Sequence, residues 1–87
     1  MDLDAIVTCL AHHRQRATYG AVASLVSVIP LVVMKGRPRN HLNSWVVAQE
    51  DHEPTDYTIA EKDPDLRLSP FVIEDQTVVQ RWLSSRL

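Results

Sequence analysis

The most apolar run of the chain, residues 21–34, is broken by Pro30 and by the serines Ser24 and Ser27. It is shorter than the ~20 residues that a membrane-spanning helix needs, so we expect no membrane span. Pro30 has no N–H and does not suit the interior of a continuous helix. The run is therefore predicted to form two short elements, in a chain whose 87 residues can form only one core.

Helix signals precede this run and continue into it. Asp2 can cap a first helix that extends to about Arg14, with apolar residues at the spacing that lines one face. After a short connection at residues 15–17, Thr18 can cap a second helix over residues 19–26. The sequence therefore predicts two consecutive helices.

A third short helix is predicted over residues 30–35. Pro30 suits its first turn, where a missing N–H leaves no donor unpaired, and Gly36 and Pro38 end it. A longer helix followed by two short ones is the arrangement of a helix-turn-helix unit. The β-branched content of residues 26–33 fits a buried strand as well, and that alternative stays open.

The second part of the chain combines strand signals with a last helix. Residues 44–48 are β-branched and aromatic, and we expect them to pair with residues 57–59 in a β-hairpin. Residues 60–70 are predicted as a surface loop and residues 71–73 as a short apolar anchor. A helix over residues 76–86 follows Glu74 and Asp75, whose charges suit its start.

Together these elements predict an α+β, mostly helical fold. It is a single winged helix-turn-helix-like domain over residues 1–87, with three helices, a small β-hairpin and a C-terminal helix.

Charge is divided unevenly along the chain. Between Asp4 and Glu50 there are five cations and no acid, whereas from Glu50 onward nine acids face four cations. The domain therefore has a basic part, residues 1–49, and an acidic part, residues 50–87. Such asymmetry is expected when one face binds a polyanion. Mutual attraction of the two parts within one fold explains the charges equally well. The cations of the basic part are Arg14, Arg16, Lys35, Arg37 and Arg39.

A basic loop follows the predicted third helix. Lys35, Arg37 and Arg39 are suited to phosphates, and Asn40 to a base edge or another phosphate. An ordinary solvated loop is the alternative. About five cations would support only weak, salt-dependent DNA binding, ~10⁻⁴ to 10⁻⁶ M.

One sequence block resembles a known family. The block is RATYGAVA, residues 16–23, which follows an apolar helix and precedes Trp45-Val46-Val47. It is similar to the DNA-binding domain of the O6-alkylguanine-DNA alkyltransferases and the alkyltransferase-like proteins, over about residues 5–48. The resemblance implies a winged helix-turn-helix that binds DNA and places Tyr19 against a phosphate. Packing on the core is the alternative role of Tyr19.

The residues that carry the family's chemistry are missing. Its reactive cysteine would fall at or beside Asn43, and Ser44 takes the place of the activating histidine. Cys9 lies in the first helix, where a thiol without a positioned base is a poor nucleophile. The family's arginine that enters the base stack would fall between Leu31 and Val33, all apolar. We therefore expect no enzymatic activity.

Other clusters favour structural roles, and we expect no metal or other cofactor. His12 and His13 are adjacent on a helix and point in different directions, and no recognised metal-ligand spacing is present. The acids of residues 50–56 lack the pattern of a calcium loop. Trp45 and Trp82 suit a core better than a stacking platform.

Two functions follow from these residues. The first is a non-catalytic DNA-binding module whose contacts come from Arg14, Arg16, Tyr19, Lys35, Arg37, Arg39 and Asn40. The alternative is a protein-interaction or self-association module on the same scaffold, with DNA binding lost, which would use the apolar row Leu31, Val32, Val33 and Met34. A homodimer or another protein is then the partner.

The single cysteine and the acidic start of the chain bear on location. Cys9 cannot form an internal disulfide, and Asp2 and Asp4 stand where a secretory signal carries positive charge. We therefore expect a cytoplasmic protein.

Overall fold

Three α-helices form where the sequence places capping residues. The computed structural model describes residues 2–87. In each helix a side-chain oxygen of Asp2, Thr18 or Asp75 accepts a hydrogen bond from a backbone N–H of the first turn. The predicted first, second and last helices are confirmed, each ending one or two residues early. They are α1 (Leu3–His12), α2 (Tyr19–Leu25) and α3 (Gln76–Ser84).

A three-stranded parallel sheet joins segments that are distant in sequence. The strands are β1 (Arg16–Thr18), β2 (Val46–Val47) and β3 (Val72–Ile73), in the order β2-β1-β3. Ala17 pairs with Val46 on one side and with Ile73 on the other. The α+β class is therefore confirmed. However, the central strand β1 overlaps residues 15–17, which the sequence predicted as a short connection. Strand β3 lies within residues 71–73, which were predicted as an apolar anchor.

The predicted β-hairpin is wrong. The segment 44–48 contributes only the two residues of β2, which pair in parallel with β1, and residues 57–59 form no strand. The backbone N–H of Ala48 donates to the Glu53 carbonyl at 2.9 Å, so the chain does reverse at the expected turn. Ile59 is 86% exposed, so a strand over residues 57–59 would have no buried face. β2 is buried throughout, as parallel strands usually are.

The predicted third helix is also corrected. Residues 30–35 form a 3-10 helix (Pro30–Val32) followed by hydrogen-bonded turns, not an α-helix. The β-branched side chains disfavour the α-helix, and the left-handed Gly36 (φ 84°) ends the segment as expected. A buried strand is excluded too, because Ile29 and Leu31 are exposed.

The core draws residues from both the basic and the acidic part. The helix α1 packs against β1 and a second 3-10 helix (Leu42–Trp45), and α2 packs against α3. Trp45 is completely buried, as predicted, whereas Trp82 packs at the edge of the core. A third 3-10 helix (Pro64–Leu68) contributes Leu66. No helix within residues 2–87 is both long enough and apolar enough to span a bilayer.

Aromatic contacts join the C-terminal ends of α1 and α3. The His13 ring meets Trp82 edge to face, with centroids 5.6 Å apart, and the Arg86 guanidinium lies 4.4 Å from the Trp82 ring centroid. Desolvation lowers the pKa of His13 below the ordinary 6.5, and the nearby His12 and Arg86 lower it further. The folded protein therefore resists protonation of this ring.

We expect this resistance to make the protein less stable in mild acid. Below the ordinary pKa of 6.5, the unfolded chain binds a proton that folded His13 takes up only at lower pH. Stability therefore falls as the pH drops through this window. Urea midpoints measured between about pH 8 and about pH 5 should show the decline, and His13→Gln should flatten it. An unchanged pH dependence in His13→Gln would contradict the assignment.

Candidate nucleic-acid interface

A groove of about 860 Å³ lies between the start of α2, the segment that contains Pro30–Val32, and the turn at residues 48–57. Its apolar wall includes Leu31 and Met34, and two tyrosines, Tyr19 and Tyr57, also line it. The charged residues of the groove are Lys35, Arg37, Arg39, Glu50 and Asp56. The groove is thus lined by three of the contact residues predicted in the basic loop, Lys35, Arg37 and Arg39.

The two tyrosines are held by backbone contacts. The Tyr19 hydroxyl, at the start of α2, accepts a hydrogen bond from the Thr55 N–H at 2.9 Å. Burial raises the pKa of Tyr57, as does neighbouring Tyr19, against opposing effects from the Asn40 backbone and Arg39. Tyr57 is the groove residue that sequence reasoning missed. The left-handed turn at Asp56 (φ 63°) precedes it, and nothing local in the sequence links it to Tyr19.

Lys35 and Arg39 carry the unpaired positive charge of the groove. Both are exposed. Among residues 2–87, no carboxylate lies within ion-pair distance of either side chain. Their ammonium and guanidinium groups are therefore available to an external anion.

Arg37 and Asn40 fix the shape of the loop instead of projecting from it. Arg37 pairs with the Asp4 carboxylate, and its Nε donates to the Asn43 Oδ1 at 2.9 Å. The Asn43 Nδ2 donates to the Pro38 carbonyl at 2.9 Å and to the Asn40 Oδ1 at 3.1 Å. Buried Asn43 thus organises the basic loop from below, a role that its sequence position did not reveal.

Arg14 and Arg16 are placed elsewhere and do not line the groove. Arg14 pairs with Asp65 at 2.8 Å. Arg16 donates to the carbonyls of His52, at 2.9 Å, and Ser69, at 2.6 Å. Both arginines therefore bind the acidic part of the same fold. For these two cations, attraction between the two parts explains the charge asymmetry.

The apolar row at residues 31–34 is divided between surface and core. Leu31 is 90% exposed and Val32 is exposed to a lesser degree, whereas Val33 is buried in the core. Met34 is partly buried against the core and lines the groove. Leu31 and Val32 are therefore available to a partner and Val33 is not, whereas Met34 borders the groove.

Asn43 and Ser44, where the sequence resemblance would place a reactive cysteine and histidine, are buried and hydrogen-bonded. Asn43 bonds within the loop, and the Ser44 hydroxyl donates to the His41 carbonyl at 2.7 Å and accepts from the Asp63 N–H at 3.1 Å. Burial raises the pKa of the Cys9 thiol, which lowers the fraction of reactive thiolate at neutral pH. The Asn43 amide and the Ser44 hydroxyl therefore stabilise the fold through internal hydrogen bonds.

Comparisons with protein-family models, curated proteins and solved structures found no match. A function must therefore be inferred from the groove, its charges and the exposed apolar residues beside it.

Proposed function

We propose that this protein is a non-catalytic DNA-binding module that docks a duplex along the rim of the groove. The observation that carries the proposal is the pair of exposed cations, Lys35 and Arg39, which have no carboxylate partner among residues 2–87. The resemblance of residues 16–23 to the alkyltransferase-like proteins supports the same function and a helix-turn-helix-like use of α2 and the following 3-10 segment.

The distribution of charge limits how the duplex can lie. Glu50 and Asp56, on the turn that forms part of the groove wall, repel phosphates. The backbone of DNA is therefore expected on the side of the groove that bears Lys35 and Arg39. Phosphate contacts of this kind position a protein on DNA without reading its sequence.

The number of free cations sets the expected salt dependence. Each neutralised phosphate of B-DNA contributes about −0.9 to the slope of log K against log salt. Two free cations therefore predict a slope of about −2, whereas all five cations of the basic part would give about −4.5. The affinity should be weak, in the ~10⁻⁴ to 10⁻⁶ M range of non-specific binding.

Fluorescence anisotropy of a labelled duplex, titrated at several salt concentrations, tests the proposal. We expect the slope near −2 for the natural protein, and Lys35→Ala with Arg39→Ala to weaken binding by about tenfold and flatten the slope. The matched control, Arg67→Ala with Arg81→Ala, removes two exposed arginines outside the groove and should leave both unchanged. Absence of binding up to high micromolar protein, or equal effects of the two double variants, would overturn the proposal.

Self-association is the second candidate function, and the exposure of Val28, Ile29, Leu31 and Val32 favours it. These apolar side chains are exposed and close in sequence, and an exposed apolar patch is typical of a protein contact. Sedimentation equilibrium should then show a dimer that Ile29→Glu dissociates. A monomer at high concentration would exclude this candidate.

A further inference from the structure

We propose that a second copy of this chain occupies the groove, and that the resulting dimer withdraws Lys35 and Arg39 from DNA. This regulatory consequence rests on the proposed DNA binding, whereas the dimer rests on the groove alone. Its basis is that the groove carries unpaired charges of both signs, and a duplex can satisfy only one of them.

The unpaired charges of the groove form two sets of opposite sign. The cation pair, Lys35 and Arg39, comes from the basic loop, and the acid pair, Glu50 and Asp56, comes from the turn at residues 48–57. All four residues are exposed. Within residues 2–87, none of them takes part in an ion pair. Both sets are therefore available to an external partner.

A duplex leaves part of this surface without a partner. Phosphates can pair with the cation pair, but the acid pair repels them. Leu31, which is 90% exposed and lines the groove together with Pro30 and Met34, finds no apolar surface on a phosphate backbone. An occupant that satisfies the whole groove must therefore offer acids, cations and apolar side chains together.

A second copy of the chain offers all three. In a two-fold symmetric dimer the same surface patch of both protomers meets itself, so that each contact between two different residues occurs twice. When the cation pair of one protomer lies against the acid pair of its partner, symmetry supplies the reverse contact. Every unpaired charge of the two sets then faces a charge of opposite sign, and Leu31 of each protomer is enclosed between the two grooves.

The charges determine how this dimer responds to salt. Exposed ion pairs contribute little individually and are screened by salt, so the dimer is expected to be weak and to dissociate as the salt concentration rises. An association through exposed Val28, Ile29 and Val32, which lie outside the groove lining, would not be weakened by this screening. Because the groove dimer and DNA use the same two cations, each excludes the other.

Two charge-altered variants of the full chain test the dimer. The cation-reversed variant carries Lys35→Glu with Arg39→Glu, and the acid-altered variant carries Glu50→Lys with Asp56→Asn. Asparagine is used at position 56 because this residue has a left-handed backbone (φ 63°), which asparagine tolerates as aspartate does. In sedimentation velocity at low salt, we expect each variant alone to be monomeric and their equimolar mixture to form a dimer, which also shows that both variants are folded.

The natural protein and a matched control complete this measurement. We expect the natural protein to form a dimer at low salt that dissociates as salt is added. The control, Arg67→Glu with Arg81→Glu, has the same net charge as the cation-reversed variant but changes two exposed arginines outside the groove. It should keep the dimer, which separates the groove contact from general repulsion between acidic molecules.

Displacement of a labelled duplex tests the regulatory consequence. The acid-altered variant keeps the cation pair and should bind the duplex, whereas the cation-reversed variant should not. Adding the cation-reversed variant at about ten times the dissociation constant of the mixed dimer should raise the apparent Kd of the acid-altered variant for DNA about tenfold. Fluorescence anisotropy measures this change.

The outcomes distinguish the dimer from the proposed function. A mixture that stays monomeric, or a dimer of the natural protein that survives reversal of its cation pair, overturns the groove dimer and leaves DNA binding intact. A mixed dimer that leaves the duplex bound overturns the exclusion of DNA. A mixed dimer that forms although no variant binds the duplex overturns the proposed function and its regulation, and supports the dimer itself.

Discussion

Replacing Trp45 with alanine is expected to lower the free energy of unfolding by about 3–5 kcal/mol. Trp45 is completely buried and belongs to the core that joins α1, α2 and the sheet. Its removal loses apolar burial and leaves a cavity that the short surrounding elements can fill only in part. Domains of this size have only about 5–15 kcal/mol in total. Urea unfolding followed by far-ultraviolet circular dichroism should therefore show a large drop in the midpoint.

Trp45→Phe is the matched control for this prediction. The Nε1 of Trp45 is buried with no hydrogen-bond partner among the described residues 2–87. A buried, unsatisfied donor costs about 1–3 kcal/mol, and phenylalanine removes it while keeping most of the ring. We expect this variant to lose less than about 2 kcal/mol, because the relieved donor offsets part of the smaller cavity. Equal losses for phenylalanine and alanine would contradict this account.

Arg16→Met is expected to destabilise the protein by about 2–4 kcal/mol. The Arg16 side chain is only 14% exposed and donates from two nitrogens to the carbonyls of His52 and Ser69. Methionine keeps the apolar stem but leaves both carbonyls without their charged donor, and hydrogen bonds to charged groups contribute more than neutral ones. The same urea experiment measures the loss, and limited proteolysis should show faster cleavage within residues 48–70.

Arg14→Met provides the comparison two residues away. Arg14 pairs with Asp65 in an exposed contact, and such surface pairs contribute only about 0–1 kcal/mol. We therefore expect a small effect on stability from Arg14 and a large one from Arg16. Neither change should weaken duplex binding of the folded protein, because neither side chain lines the groove. Similar midpoints for the two variants would show that the stability of the fold does not depend on the bonds from Arg16 to the His52 and Ser69 carbonyls.

The helices could be predicted because their signals are local. Asp2, Thr18 and Asp75 each lie next to the N–H groups that they bond, so a short stretch of sequence contains both partners. The segment that begins at Pro30 has a different start signal, a proline in the first turn without a side-chain cap, and its β-branched residues and the early Gly36 leave room only for a 3-10 helix. Residues that favour a start do not determine which type of helix follows.

The sheet could not be predicted because its pairing is entirely long-range. Ala17 lies between Val46 and Ile73, and strands of two or three residues are too short to show a periodic pattern. The hairpin prediction followed the usual preference of neighbouring strands for each other. That preference does not decide the pairing here, because β1 takes one edge of β2 and residues 57–59, where Ile59 is 86% exposed, offer no buried face for pairing with the other.

The candidate site was predictable in part. Lys35, Arg37, Arg39 and Tyr19 lie together because the basic loop follows α2 closely in sequence. Tyr57 joins them only through the turn at residues 48–57. The internal roles of Arg14 and Arg16 depend on partners more than thirty positions away. Charge counted along a sequence cannot separate cations that bind the fold from cations that are free to bind a ligand.

The parallel arrangement of the three short strands has a consequence for how the protein must be handled. A fragment of residues 1–49 would contain β1 and β2 but neither β3 nor the helix α3 that packs against α2. Such a peptide would carry Arg14 and Arg16 without the partners that Asp65, His52 and Ser69 supply, so its charge would not represent that of the folded protein. The core of α1, α2 and the sheet is likewise incomplete until α3, which supplies Val79 and Leu83, has been synthesised.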